Sequence, residues 1–334
     1  MRAMVLKKQA PIETAPLELL DIEISEPQPH EVQLKVEACG VCRTDLHVIE
    51  GDLKHPKLPL VPGHQVVGVV TKLGSKSKRF KVGDRIGVAW LRHTCGKCHF
   101  CKAGKENLCT QSLYTGYNAN GGYAEYAVVP EDYAYAIPKG FSNALAAPLL
   151  CAGIVGYRAF KRAALPKGGK LGIYGFGSSA HLISQIALHQ GAEVYVSTRH
   201  PRHQAFAKEM GAIWSSGDSH FPTLLDSIIV FAPAGELVPK ALESLKPGGT
   251  VSLAGIHMSD VPSMDYESHL FHEKNLVSVE SNTRQDGEEF LVLAEKIPLK
   301  PHITTFPLEQ ANQVLLQVKQ DALEGTAVLT FINK

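Results

Sequence analysis

KLGIYGFGSSAHLISQIA, residues 170–187, decides the fold. A short apolar run enters a glycine turn, and the turn opens at once into a helix-periodic segment. Gly175, Gly177 and Ala180 stand at the G-x-G-x-x-G/A spacing of a dinucleotide-binding turn. The first glycine makes the turn, and the second lets backbone approach a pyrophosphate. The small third residue allows the helix to pack close on the strand. Ser178 and Ser179 lie at the helix N-terminus, where unpaired N–H groups and the helix dipole favour phosphate. GSSAH also comes near the G-x-S-x-G nucleophile elbow of hydrolases, but His181 replaces its final glycine.

The texture continues outward from this stretch. KLGIYG, EVYVST, AIW, DSIIVFA, GTVSLAG and LVSVE are six short apolar runs, separated by helical patterns such as HLISQIALHQG, HQAFAKEMGA and ELVPKALESLKPGG. Strand alternating with helix predicts βαβ units, hence an α/β, Rossmann-type doubly wound parallel sheet of six strands over residues 150–283. Residues 1–149 read differently: EVQLKVEA, HQVVGVVTKLG and GDRIGVAW are extended segments between Gly and Pro. Residues 284–334 return to mixed texture, with FLVLAEKI and QANQVLLQVKQ as helices and TAVLTF as a closing strand. The α/β domain is therefore expected to be inserted into a mostly β domain.

Composition excludes several classes. The 334 residues carry 34 basic and 33 acidic side chains, for a net charge of +1, and no basic block stands out. Nucleic acid and anionic membrane surfaces are not expected as partners. The start, MRAMVLKKQAP, has no apolar signal core and no run approaches transmembrane length, so a cytoplasmic protein is expected.

Seven cysteines in a reducing compartment argue against a disulfide framework. Cys95, Cys98, Cys101 and Cys109 form Cys-x2-Cys-x2-Cys-x7-Cys, a spacing at which four thiolates can surround one tetrahedral zinc ion. A bacterial ferredoxin would place three residues and a following proline at the fourth cysteine, and this chain does not. Four sulfurs leave no open coordination position, so such a zinc is structural.

GVCRTDLH (40–47), PGHQVVG (62–68), the four-cysteine lobe, LLCAG (149–153) and GFGSSA (175–180) together resemble the zinc-dependent alcohol dehydrogenases of the medium-chain dehydrogenase/reductase superfamily. The resemblance spans essentially the whole chain and implies a GroES-like catalytic domain around the dinucleotide domain. It implies that Cys42, His64 and Cys151 hold a catalytic zinc; spacing alone could not pair them. Two zinc ions per chain follow, and a Cys2His set leaves the open position a Lewis acid needs. By the same resemblance GVCRTDLH is a catalytic loop. Thr44 would bond the substrate oxygen, His47 would pass its proton to solvent, Arg43 would lie near cofactor pyrophosphate, and Asp45 would orient a ligating imidazole. Gln65 stands where relatives carry Glu, and Thr326 where many carry a phosphate-binding Arg. Trp90 is a candidate wall of the substrate cleft, and Cys39 is left to packing.

The strand EVYVST ends in Ser197, Thr198 and Arg199, with no acid to take a ribose 2′-hydroxyl; Glu193 only begins it. Hydroxyls with an arginine suit a 2′-phosphate, so NADP is favoured over NAD. The expected reaction is reversible hydride transfer between a primary or secondary alcohol and its aldehyde or ketone. A polyol or sugar dehydrogenase with the same machinery, and a zinc-stabilised binding protein without turnover, are the alternatives. A small-molecule alcohol or aldehyde and further copies of the chain, as a dimer or tetramer, are the expected partners.

Overall fold

The computed structural model describes residues 1–297 and 299–331. Two compact units emerge. The first comprises Met1–Cys151, Thr283–Lys296 and the chain from Pro301 onward; the second comprises Ala152–Asn282 and Ile297–Lys300.

The second unit is a six-stranded parallel sheet. Its spatial order is Trp214–Ser216, Glu193–Ser197, Lys170–Tyr174, Leu225–Val230, Leu245–Leu253 and Asn275–Ser278. The chain starts in the middle, winds to one side, then returns and winds to the other. That is the doubly wound order, with its switch point between Lys170–Tyr174 and Leu225–Val230. Each expected run supplied a strand because strands buried on both faces read as continuous apolar sequence: Leu171, Ile173, Val194, Val196, Ile228, Ile229 and Val230 are all fully buried.

A seven-stranded sheet anchors the first unit. Glu31–Gly40 is its long central strand, antiparallel to Gln65–Leu73, which continues to Arg85–Val88 and Ala134–Ala136. Two short strands share the other edge of Glu31–Gly40: Tyr126–Pro130 pairs with residues 31–35, and Thr326–Thr330 with residues 38–40. The register shifts at Gln33/Leu34 and Val36/Ala38, so the strand bends and its C-terminal end turns toward the segment that follows.

That segment differs from the loop expected of GVCRTDLH: Arg43–Glu50 is an α-helix. Cys42 caps it in an extended conformation, with its sulfur accepting from the Thr44 N–H at 3.5 Å. The Asp45 carboxylate reaches back to the Cys42 N–H at 2.9 Å, which closes a capping box. The polar residues that suggest a loop are those that start a helix.

Among the described residues, no single helix is long and apolar enough to cross a membrane.

Candidate active site and metal centres

Among the described residues, two groups of ligand-type side chains form, both in the first unit. Cys95, Cys98, Cys101 and Cys109 bring their sulfurs within 4.8 Å of one another. The lobe is built from tight turns whose N–H groups point at sulfur: Cys98 N–H to Cys95 Sγ at 3.3 Å, Cys101 N–H to Cys98 Sγ at 3.5 Å, Cys95 N–H to Cys109 Sγ at 3.4 Å. Such donors stabilise thiolates. Those from Lys97 and Cys98 bring Cys95 down to about 6, whereas desolvation pushes Cys101 up to about 11. All seven cysteines are free, and the 3.5 Å Cys98–Cys101 separation is far beyond a disulfide bond. The lobe is tied to the returning chain by Glu106, which takes Arg284 Nε at 3.0 Å and its second amino group at 2.7 Å. The Arg284 guanidinium also lies 4.8 Å over the ring of Tyr133, whose hydroxyl receives the Thr94 N–H at 2.8 Å.

The second group is Cys42, His64 and Cys151, whose ligand atoms also lie within 4.8 Å of one another. Each comes from a different element: the helix cap, the start of Gln65–Leu73, and the end of the short helix Ala147–Leu150. His64 is fully buried. Its Nδ1 donates to Asp45 Oδ1 at 2.8 Å, and its Nε2 is buried with no hydrogen-bond partner. A buried imidazole nitrogen left unpaired beside two sulfurs is costly unless something accepts its lone pair, so the donor set fits a metal ion. Trp90 packs edge-on against the His64 ring at 4.9 Å and stacks on Tyr114.

Electrostatics in this pocket separate the three groups. The Cys151 thiol, against burial and with the charge of His64, holds Cys42 well below the ordinary thiol range. The same contact, then burial, pushes Cys151 well above it. Burial opposes a charged His64, but the Asp45 carboxylate and Cys42 outweigh it and lift the imidazole to about 10. The two thiols are thus pushed in opposite directions by their mutual contact.

Thr44 is nearly buried, with its hydroxyl 3.6 Å from Cys42 Sγ. His47, one helical turn on, donates from Nδ1 to Asp52 Oδ2 at 2.7 Å. Arg43 forms an ion pair with Asp321. Gln65 packs on Gly40, and its Oε1 is buried without a partner. Thr326 is buried in the sheet and donates its N–H to the His302 carbonyl. Cys39 belongs to the apolar core, outside both clusters. Tyr123 went unnoticed in the sequence. It is fully buried, and its hydroxyl reaches Asp45 Oδ2 at 3.2 Å.

In the second unit, Gly175 has φ +83° and donates its N–H to the Ser197 carbonyl at 2.8 Å. A Cβ on Gly177 would meet nothing within 4 Å, so the turn at the start of Ser178–His189 leaves open the space a pyrophosphate would need. Ala180 is buried. Arg199 is exposed at the end of Glu193–Ser197. Ser197 and Thr198 are buried, and the Ser197 hydroxyl donates to the Asp218 carbonyl at 2.7 Å.

A glycine turn between strand and helix, a four-cysteine cluster and a Cys2His cluster are the features expected of a zinc-binding dehydrogenase. Residues 28–139 match the alcohol dehydrogenase GroES-like domain, and residues 180–296 the zinc-binding dehydrogenase domain. A probable alcohol dehydrogenase of Mycobacterium tuberculosis, AdhA, is 47% identical over 98% of this chain and 97% of its own length. Among solved structures, a cinnamyl alcohol dehydrogenase of Sorghum bicolor superposes with a TM-score of 0.89 at 26% identity, covering 98% of this chain and 97% of that one. An acetophenone reductase of Geotrichum candidum in complex with NAD gives 0.87 at 26% identity, covering 98% and 96%. The chain belongs to the zinc-dependent alcohol dehydrogenases of the medium-chain dehydrogenase/reductase superfamily. It is an oxidoreductase that uses zinc and NAD(P) to interconvert small-molecule alcohols with aldehydes or ketones.

Proposed function

We propose that Cys42, His64 and Cys151 hold the catalytic zinc, and that Cys95, Cys98, Cys101 and Cys109 hold a second, structural one. The observation that carries this reading is the buried, partnerless Nε2 of His64 beside the sulfurs of Cys42 and Cys151. Zinc in such a three-ligand pocket supplies Lewis acidity toward an alcohol or carbonyl oxygen. The protein's own residues do the rest. Asp45 fixes the His64 tautomer, so that Nε2 faces the metal position. Thr44, beside Cys42, positions the substrate oxygen and passes its proton on. His47 takes the proton at Nε2, because its Nδ1–H is engaged by Asp52. Gln65 keeps the shape of a glutamate without its charge, which raises the effective positive charge at the metal.

Arg199 supports NADP as the preferred cofactor, because no carboxylate occupies residues 197–199 to repel a 2′-phosphate. Since Ser197 spends its donor on Asp218, the phosphate contact falls chiefly to Arg199. Gly175, Gly177, Ser178, Ser179 and Ala180 form the pyrophosphate turn; the charge of Arg43 is already paired with Asp321. Self-association is supported by the outer edge of Asn275–Ser278, which pairs with no strand among the described residues. Light scattering decides between monomer, dimer and tetramer.

The test combines elemental analysis with absorbance at 340 nm. Protein purified without chelator should carry about two zinc ions and reduce NADP with a panel of alcohols. Arg199→Ala should weaken NADP binding about 10- to 100-fold and leave NAD binding unchanged. One zinc ion that survives Cys42→Ala would remove the catalytic assignment. Equal losses for both cofactors would remove Arg199 as the 2′-phosphate contact.

A further inference from the structure

We propose that Tyr123 is a positioning residue of the open metal pocket, acting through Asp45 on His64. The inference rests on the reading of Cys42, His64 and Cys151 as metal ligands. Asp45 is a fully buried carboxylate in the middle of the pocket wall. An ionised carboxylate has roughly four acceptor sites and is stable in the interior only when they are filled. Two donors come from groups next to the metal position, the His64 Nδ1–H at 2.8 Å and the Cys42 N–H at 2.9 Å. The third is the Tyr123 hydroxyl at 3.2 Å, on the same oxygen, Oδ2, that receives Cys42. Oδ1 is thereby left to His64.

Tyr123 is itself held from the side of the ligand. Residues 121–123 run along residues 61–63, directly before His64: Gly121 N–H to the Val61 carbonyl at 2.7 Å, Gly122 N–H to Gly63 at 2.9 Å, Tyr123 N–H to Pro62 at 3.0 Å. The contact is too close for other residues. A Cβ on Gly121 would lie 1.8 Å from the Gly63 oxygen, and one on Gly63, at φ +94°, would lie 2.3 Å from Tyr123 Cδ1. One tyrosine thus seats its ring on the residue preceding His64 and its hydroxyl on the carboxylate that orients the His64 ring. Burial, and then the charge of Asp45, push the phenol well above its ordinary value, so it remains a donor at any working pH. Without that hydroxyl Asp45 keeps one donor on each oxygen but loses the third, and its orientation is held less firmly. The direction of His64 Nε2 toward the two sulfurs is then fixed less tightly. Partners that orient metal ligands are worth about 10- to 100-fold in metal affinity. A group one bond further out should contribute less, about 3- to 10-fold.

The experiment is a Co2+ titration of metal-free protein, followed by sulfur-to-cobalt charge-transfer and ligand-field absorbance. Wild type should show two classes of site, and Cys42→Ser should abolish one of them. If wild type shows only one class, or Cys42→Ser leaves both, the metal reading itself fails. Given two classes, Tyr123→Phe should keep the four-cysteine equivalent at wild-type affinity. At the open site it should lose about 3- to 10-fold in affinity and shift the ligand-field bands. Wild-type affinity and spectrum at the open site would overturn the proposal, as would equal losses at both sites. An Asp45→Asn background keeps the test readable if Tyr123→Phe alone does not fold, because an amide no longer demands the third donor. The double variant must then fold and bind Co2+ at the open site within about twofold of Asp45→Asn. A double variant as unfolded as the single one overturns the proposal.

Discussion

Four sulfurs gather between Cys95 and Cys109 inside one lobe, where turns aim backbone N–H groups at them. Cys42, His64 and Cys151 meet only because a bent strand, a helix cap and the end of a short helix converge. The first cluster is local, partly exposed and saturated with sulfur. The second is assembled by the fold, and its histidine carries a buried nitrogen that no protein donor or acceptor satisfies. The difference teaches that a structural metal can help make its own surroundings. A catalytic one must be awaited by surroundings already made, with one coordination position left for substrate.

That contrast can be broken most forcefully at the closed cluster. Cys95→Ser should destabilise the protein by several kcal/mol, on the order of 10 °C in Tm, because closed zinc sites contribute folding energy directly. Calorimetry with zinc analysis checks it; an unchanged Tm would make the lobe dispensable. Cys151→Ser should do the reverse, with activity down by about 10³-fold or more, one zinc ion retained and Tm little changed.

Acidity sharpens the distinction. Metal entering the open pocket must displace the proton of His64, lifted to about 10, and that of Cys151, pushed above the ordinary thiol range. Cys42 is shifted the opposite way, toward the thiolate. Binding should therefore release protons, and affinity should rise with pH up to about 10, where His64 loses its own. Calorimetric titration of the wild-type protein in buffers of different ionisation enthalpy counts them. A pH-independent affinity would show that the pocket is already deprotonated.

The smallest expected effect separates proton transfer from metal binding. His47→Gln should slow single-turnover alcohol oxidation about tenfold near neutral pH, with partial rescue by small buffers and both zinc ions retained. Wild-type single-turnover rates at every pH would return His47 to a merely structural partner of Asp52.

What the sequence could tell follows the same division. The parallel sheet was legible because buried strands such as Ile228–Val230 announce themselves as apolar runs. The four-cysteine lobe was legible because its ligands are close in the chain. The open pocket could be named only by resemblance, since no periodicity links residue 42 to residues 64 and 151. The helix at Arg43–Glu50 was hidden by its own cap, whose polar residues read as loop. Tyr123 was missed altogether: nothing in a tyrosine's neighbourhood along the chain says that its hydroxyl meets a carboxylate. The one available sign was Gly121–Gly122 just before it, a pair whose missing side chains let two backbones touch.

The salt bridge between Glu106 and Arg284 joins residues 178 apart in the chain, so it can close only late in synthesis. As the chain leaves the ribosome, Cys95 through Cys109 emerge together, and their four sulfurs can gather early. Arg284 arrives only after the whole parallel sheet has been made, and Thr326–Thr330, which completes the long strand Glu31–Gly40, arrives later still. The amino-terminal part of the nascent chain therefore carries an unpaired sheet edge and an untethered metal lobe while the middle folds. Its exposure to misassembly is longest for the region that holds the chemistry.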